Sequence, residues 1–365
     1  MNYCDKIKYT IYQTEKNEFP LMVEALLNQI AETDTVVRLA FFGTPADNEQ
    51  YITRHDIIKS SIRERFGDKM PAISYVSQPP LNAPLILEVH SYHAGKEDTV
   101  LYKRIDEFSY VLIEKYRGTY YFAGGFQSDI INNTIAKQSI EVFEKINCLL
   151  EKERFPVNSI IRQWNYIEQI TACEEEDQNY QSFNNARSDF YATTAWENGY
   201  PAATGIGTNL GGVLIDFDAV LFTSPHSYAT SLDNKLQIAA HAYSGKVLAR
   251  AQKQKATPKF ERAKRMTFGD KKLIYISGTA AIRGEESLKG VGLQRQLQIT
   301  MENIYELIGE TPPVMLRVYL KNKEDYEESR QLMDAYKLDI PISYMWADVC
   351  REELLIEIEG IAIGY

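Results

Sequence analysis

Three carboxylates occupy the same place in three similar stretches. Leu85-Ile86-Leu87-Glu88-Val89, Val213-Leu214-Ile215-Asp216-Phe217 and Leu354-Leu355-Ile356-Glu357-Ile358 are apolar runs with an acid in the fourth position. Only the third is surrounded by further reactive side chains, with Cys350 and Arg351 just before it and Glu359 just after. Strand alternation puts Glu357 and Glu359 on one face, opposite Ile356 and Ile358. Burial and a neighbouring like charge both raise a carboxyl pKa, and an acid kept protonated near neutrality serves as a general acid. The same pair also reads as two solvated or ion-paired glutamates on an exposed face.

The elements that would carry these acids repeat as well. Each acidic run follows a proline-led strand, beginning at Pro71, Pro201 and Pro341. Upstream, Tyr120-Tyr121-Phe122-Ala123-Gly124-Gly125 answers Ile274-Tyr275-Ile276-Ser277-Gly278-Thr279, each read as a strand ending at a glycine turn. Helices are expected to start near Gln138 and Gln296, the latter with Leu297, Met301, Ile304 and Leu307 at helical spacing. Strands follow over 160–166 and 314–320. The first copy has a helix over 21–30 and a strand over 36–42, but no recognisable opening hairpin. The unit reads β-β-α-β-α-β-β, an α+β chain of three repeats.

Of the 365 residues, 44% are hydrophobic and 25% charged, as in a folded globular protein. The net charge of -10 and the absence of a long Lys/Arg run argue against nucleic acid as a partner. The start of the chain lacks the apolar region of a secretory signal, and no stretch is apolar enough to span a membrane. The four cysteines are far apart and suit neither a metal knuckle nor a disulfide framework. A cytoplasmic protein is expected, with Cys148 and Cys173 as buried thiols. Glu174-Glu175-Glu176-Asp177 reads as a solvated loop. His90 and His93 lack a third metal ligand nearby in sequence. There is no P-loop, and the glycine-rich stretch 204–212 lies between two strands, so it reads as a tight β-hairpin. Its glycines would supply positive φ or let a ligand approach the backbone.

Two resemblances enter at these residues. Ile274-Tyr275-Ile276-Ser277-Gly278-Thr279-Ala280, Gly284-Glu285-Glu286-Ser287 and Ile356-Glu357-Ile358-Glu359-Gly360-Ile361-Ala362 resemble the YjgF/RidA (L-PSP) fold. Members of that fold are homotrimers with sites at the subunit interfaces. Three fused YjgF/RidA-like units would form a pseudo-trimer in one chain: a degenerate unit over 1–117, a middle unit over 118–266 and a C-terminal unit over 267–365. A monomer is therefore expected. More specifically, Arg162-Gln163-Trp164-Asn165-Tyr166, 180–187 (Tyr180 to Arg187), 200–207 (Tyr200 to Gly207) and 347–360 (Ala347 to Gly360) resemble the chorismatases. That resemblance covers residues 115–365.

The chorismatase resemblance implies cleavage of the enolpyruvyl ether of chorismate, with release of pyruvate and no metal or organic cofactor. It implies Glu357 as catalytic acid, with Cys350 beside the reacting ring. It implies Tyr166, Arg187, Thr204, Gly205, Tyr243, Arg262 and Ala263 around the substrate. Arg187 and Arg262 are the first candidates to hold the substrate's two carboxylates, with Arg162, Arg317 and Arg351 behind them. Cys350 goes with the subtypes that form hydroxybenzoates, whereas Ala263 goes with the subtype that hydrolyses chorismate to a dihydroxycyclohexadienoate. The family's Pro-x-Phe-Ser-Arg-Ala pattern reads Pro258-Lys259-Phe260-Glu261-Arg262-Ala263 here, and the stretch 243–258 is longer and richer in lysine. A RidA-like imine deaminase would need an arginine in the proline-led strand, where Ile73, Ala203 and Ser343 stand. A non-catalytic small-molecule binding protein on the same fold is the remaining alternative.

Overall fold

The computed structural model describes residues 2–115, 118–174, 177–244 and 256–365. The first unit contains β1 (Ile7–Thr14), α1 (Phe19–Leu27), β2 (Thr35–Gly43), α2 (Asn48–Phe66), β3 (Ala72–Val76) and β4 (Leu85–Tyr92). The second contains β5 (Thr99–Ile105), β6 (Phe108–Lys115), β7 (Gly118–Phe126), α3 (Ile135–Glu153), β8 (Ile160–Glu168), α4 (Asn179–Tyr191), β11 (Ala202–Thr208) and β12 (Val213–Phe222). A short ribbon, β9 (Cys173–Glu174) with β10 (Asp177–Gln178), precedes α4. The third contains β13 (Ser227–Leu232), β14 (Ala263–Phe268), β15 (Lys271–Ala280), α5 (Gly292–Ile308), β18 (Pro313–Leu320), α6 (Tyr326–Asp334), β19 (Ile342–Trp346) and β20 (Ile356–Gly364). Its ribbon is β16 (Ile282–Arg283) with β17 (Glu286–Ser287).

The sheets repeat one topology. Strand order is β1-β4-β2-β3 in the first unit, β7-β12-β8-β11 within the second sheet and β15-β20-β18-β19 within the third. In each, the proline-led strand pairs parallel to the strand before it, and the acid-bearing strand pairs antiparallel to that same strand. The expected three α+β units are present, with one more opening strand in the second and third. The first has β1 alone in place of a hairpin.

Each unit covers the outer face of its sheet with its own helices. α3 is capped by Thr134, whose hydroxyl accepts from Lys137 N. It buries Val142, Phe143, Ile146, Leu149 and Leu150 against the second sheet. α5 does the same with Leu293, Leu297, Met301, Ile304 and Ile308. The inner faces of the three sheets meet in one shared core that contains Phe42, Trp164, Tyr275 and Tyr319.

At the centre of that core lie three arginines from the same position of three strands. Arg38, Arg162 and Arg317 pair across the sheet with His90, Asp218 and Glu359. Their guanidinium carbons lie 4.9, 4.6 and 5.5 Å from the centre of the Trp164 ring. The charges are exchanged between units: Arg38 with Asp218, Arg162 with Glu359, and Arg317 with Glu88. Buried guanidinium groups need such partners, so the units are locked pairwise around the pseudo-threefold axis.

Several expectations change. The sheets run across the borders drawn at 117 and 266, because β5 and β6 belong with the middle sheet and β13 and β14 with the third. The glycines at 124–125 and 278 do not end strands; they lie within β7 and β15 where pairing with the acid-bearing strand slips. These are β-bulges, which bend a strand without ending it. Residues 204–212 are not a hairpin, since β8 lies between β11 and β12 and the turn passes over its end. Cys148 and Cys173 are exposed. Glu174 lies in the ribbon, and its carboxylate caps α3 by accepting from Ile135 N at 2.8 Å; Glu175 and Glu176 are outside the described residues. Among the described residues no helix is long and apolar enough to cross a membrane.

Candidate active site

The site lies where the middle and third units meet, between β11 with α4 on one side and β15 with β20 on the other. Glu357 comes from β20 and is 4% exposed. Gly278 on β15 makes room for it, because a Cβ at that position would overlap Glu357 Oε1. Burial, and then the charge of Glu359, push the Glu357 carboxyl up to about 8 against the pull of Arg262, Arg162 and Arg351. It is therefore a neutral acid near pH 7.

The two readings of the paired glutamates divide between the two residues. The face is buried, and Glu359 is the ion-paired one. It is held by Arg162, by Arg317 at 2.9 Å, by the Tyr319 hydroxyl at 2.7 Å and by the Thr204 hydroxyl. Among the described residues, no such bonds tie down Glu357.

Arg187, on α4, is 1% exposed yet faces no carboxylate among the described residues. One Nη2 donates to Asn184 Oδ1 at 2.5 Å, and its Nε is buried without a partner. Arg262 lies on the other wall, where it donates to Ile238 O and to the Tyr243 hydroxyl. Arg351 donates to Glu285 O and Ser287 Oγ, both at 2.9 Å, and its guanidinium lies 5.2 Å from the Tyr243 ring centre. Phe260 lies between the first two, 5.9 Å from the Arg187 guanidinium and 5.6 Å from that of Arg262.

Cys350 belongs to the connection 347–355, which is longer than its counterpart 209–212 in the middle unit. It is half-buried, and burial followed by the Glu357 charge pushes its thiol up to about 12. It is a neutral thiol rather than a thiolate nucleophile. Gly205 lets the Tyr180 ring lie flat against β11, since a Cβ there would come within 2.9 Å of it.

Three residues expected around the substrate have protein partners or neighbours of their own. Thr204 is committed to Glu359, to Arg162 at 2.7 Å and to Gly278 N at 3.0 Å. The Tyr166 hydroxyl accepts from Arg317 at 2.7 Å within the axial network. Ala263, the first residue of β14, lies in the helix-side core with Ile274 and Ile276. Arg162 and Arg317 are occupied by Glu359 and Glu88. Tyr180, Asn184, Phe260 and Gly278 were not singled out. The spacing of Asn184 and Arg187, three apart on one helix, was the available signal.

Glu261, which replaces the family's serine, anchors the segment before β14 that carries Phe260 and Arg262. Its carboxylate accepts from Tyr200 N at 3.0 Å and lies 3.4 Å from His241 Nε2. With Tyr191, Trp196, Tyr200, His241 and Lys259 it lines a cavity of about 510 Å³ beside the cleft. That cavity does not include Glu357, Arg187 or Arg262. The lysine-rich stretch 245–255 lies outside the described residues. Strand register aligns Ile73 and Ala203 with Tyr344 rather than Ser343, and none of these is the arginine an imine deaminase would use.

The family described as "Chorismatase FkbO/Hyg5-like, N-terminal" matches residues 91–219. The chain is 28% identical to a 3-hydroxybenzoate synthase of Streptomyces hygroscopicus over 269 residues, 67% of this chain and 74% of that protein. It is 25% identical to a chorismatase of Streptomyces rapamycinicus over 56% of this chain and 64% of that one, just under two thirds of its length. A crystal structure of a chorismatase at 1.08 Å resolution superposes with a TM-score of 0.67 at 18% identity, covering 98% of both chains. The two share a fold.

Proposed function

We infer that this chain, a member of the chorismatase family, cleaves the enolpyruvyl ether of chorismate to pyruvate and a hydroxybenzoate, with 3-hydroxybenzoate favoured. One observation carries the reading. A neutral, buried Glu357 shares a cleft with Arg187 and Arg262, two buried guanidinium groups that make no ion pair with a carboxylate among the described residues. Such a cleft suits a small dianion that needs protonation.

The substrate's carboxylates would replace the missing counter-ions of Arg187 and Arg262. Glu357 gives its proton to the enolpyruvyl methylene carbon, and the ether carbon becomes an oxocarbenium centre. The ionised Glu357 then faces that positive charge, so the group that donates the proton also stabilises what it creates. In the internal route the neighbouring ring hydroxyl attacks the ether-bearing ring carbon as the ring carbon–oxygen bond breaks. The ether oxygen leaves with pyruvate and the hydroxyl proton returns to Glu357. The epoxide so formed opens with loss of a ring proton, leaving its oxygen on that carbon as 3-hydroxybenzoate. No water is consumed. In the hydrolytic route water adds to the oxocarbenium carbon and the ring keeps its oxygen. Cys350 acts as a neutral thiol bordering the ring. Arg162, Arg317, Tyr166 and Thr204 act by holding Glu359, whose charge keeps Glu357 protonated.

The test is incubation of the purified protein with chorismate, following pyruvate enzymatically and the ring product by chromatography. Absence of pyruvate release overturns the reading. We further propose a cytoplasmic monomer, because three fused units complete the ring of interfaces; light scattering near 41.8 kDa is the expected result.

A further inference from the structure

A second cleft lies where the first and middle units meet, at the place equivalent to the catalytic one. β3 and β7 form it as β11 and β15 form the other. Strand register equates Asp216 with Glu357 and Ser74 with Thr204. Here too a bulge glycine abuts both groups: a Cβ at Gly124 would lie 2.8 Å from Ser74 Oγ and 2.9 Å from Asp216 Oδ1.

The chemistry of the two clefts differs. Asp216 is committed, accepting from Ser74 Oγ at 2.6 Å and from Gly125 N at 2.7 Å. The cavity is about 30 Å³. A single water needs about 10–15 Å³ on this measure, so no substrate ring enters. This cleft is not a second active site.

Its lining is strongly basic. His55, Lys59 and Arg63 reach it from α2, and Arg104 from the end of β5. Glu107 is the one acid in the lining, and it lies 3.8 Å from Lys145. Among the described residues no carboxylate lies within ion-pair distance of Lys59, Arg63 or Arg104. Lys59 is half-buried, and burial outweighs the attraction of Asp56 and Glu107, while Arg104 and Arg63 repel it. His55 Nε2 is buried without a hydrogen-bond partner. Arg63 and Arg104 reach in from the exposed rim, Arg104 with one Nη2 bond to Asp106 O at 3.0 Å, so these cations converge with the unused ring nitrogen on a space that suits a compact anion.

We propose that this cleft binds a compact oxyanion, inorganic phosphate or the carboxylate of a small acid, between His55, Lys59, Arg63 and Arg104. The inference does not depend on the reaction at Glu357.

The test is the melting temperature of the full chain against inorganic phosphate, and separately against acetate, with sodium chloride holding ionic strength constant. A saturable rise of about 2 °C is expected at tenfold excess over the midpoint. A response to phosphate alone identifies a phosphate site, and a response to acetate identifies a carboxylate site. The rise should vanish in Lys59→Gln and in Arg104→Gln, and persist in Arg187→Gln, whose guanidinium belongs to the catalytic cleft. Either of two results overturns the proposal: neither anion raises the melting temperature, or the rise survives both Lys59→Gln and Arg104→Gln. Loss of the rise in Arg187→Gln overturns it as well, since the anion then sits in the other cleft.

Discussion

Gly278 has no side chain where Glu357 puts its Oε1, and a single methyl group there would overlap that oxygen. The two residues sit on neighbouring antiparallel strands at a break in their pairing, between Ile276 and Thr279.

Gly278→Ala should therefore displace the acid more than it disturbs the fold. Misplacing a reacting group by about 1 Å costs about 10²-fold in rate. Overpacking costs about 1–3 kcal/mol in stability. The expected result is a fall of about two orders of magnitude in kcat for pyruvate release with a folded protein by circular dichroism. A near-wild-type rate would mean that the carboxyl does not work from this position.

The pH dependence has a definite sign. The active form of Glu357 is protonated, so kcat/KM falls as pH rises through about 8. Bound dianion adds negative charge and lifts the acid further, so the same limb in kcat lies at higher pH. Stability follows by linkage. The folded pKa is raised above its ordinary 4.5, so the stability present below 4.5 is lost as pH rises towards about 8. Glu357→Gln has no such loss. Its advantage in melting temperature over wild type should grow between pH 5 and pH 8, while its activity drops about 10²–10⁴-fold at all pH. A constant difference in melting temperature across that range would contradict a buried neutral acid.

How far the chain itself disclosed this depends on the kind of constraint. The repeat was legible because three strands must each bury one apolar face and start from a similar edge strand. Glu357 was legible for the same reason, with Arg351 and Cys350 close by in sequence. The axial ring was not. Arg38, Arg162 and Arg317 look alike in sequence, and only the assembled sheets show that two of the candidate substrate arginines are neutralised by acids over a hundred residues away. The burial of Ala263 in the helix-side core was hidden for a related reason. Position in a motif does not tell which face of a strand looks into the cleft, and one step of register moves a side chain from cleft to core.

Arg187 should separate binding from folding. Its buried charge has no carboxylate partner among the described residues, so Arg187→Gln removes no ion pair. Stability should stay near wild type or rise. Losing a charge-assisted contact to a substrate carboxylate costs about 2–5 kcal/mol, so kcat/KM should fall by at least about 30-fold. Steady-state kinetics beside a urea melt measure both. A variant that melts early with unchanged kinetics would make Arg187 a structural residue.

The axial network predicts the opposite balance. Arg38→Met leaves Asp218 buried without its cation, although Tyr275 still donates to it at 2.7 Å. Breaking a buried pair on one side costs about 3–5 kcal/mol. The urea midpoint should fall accordingly, while the folded fraction keeps its pyruvate-release rate, because Arg38 joins the first two units and the catalytic cleft lies between the second and third. Loss of activity without loss of stability would tie the axis directly to the chemistry.

We propose that product choice turns on Cys350. Its thiol is neutral, held there by burial and by the nearby Glu357, so it offers a polarisable wall and a weak donor rather than a nucleophile. Ala263, which would have argued for hydrolysis, is in the helix-side core. The internal route needs the cleft kept dry around the oxocarbenium centre, and a side chain the size of cysteine in 347–355 helps to exclude water there. Cys350→Ala opens that space. Wild type should release 3-hydroxybenzoate with one pyruvate per chorismate, and Cys350→Ala should shift part of the flux to the dihydroxycyclohexadienoate at a similar total pyruvate rate. Chromatography of the two reactions side by side gives the ratio. An unchanged ratio would make Cys350 a packed thiol and leave the route to be decided by the walls that carry Tyr180 and Phe260.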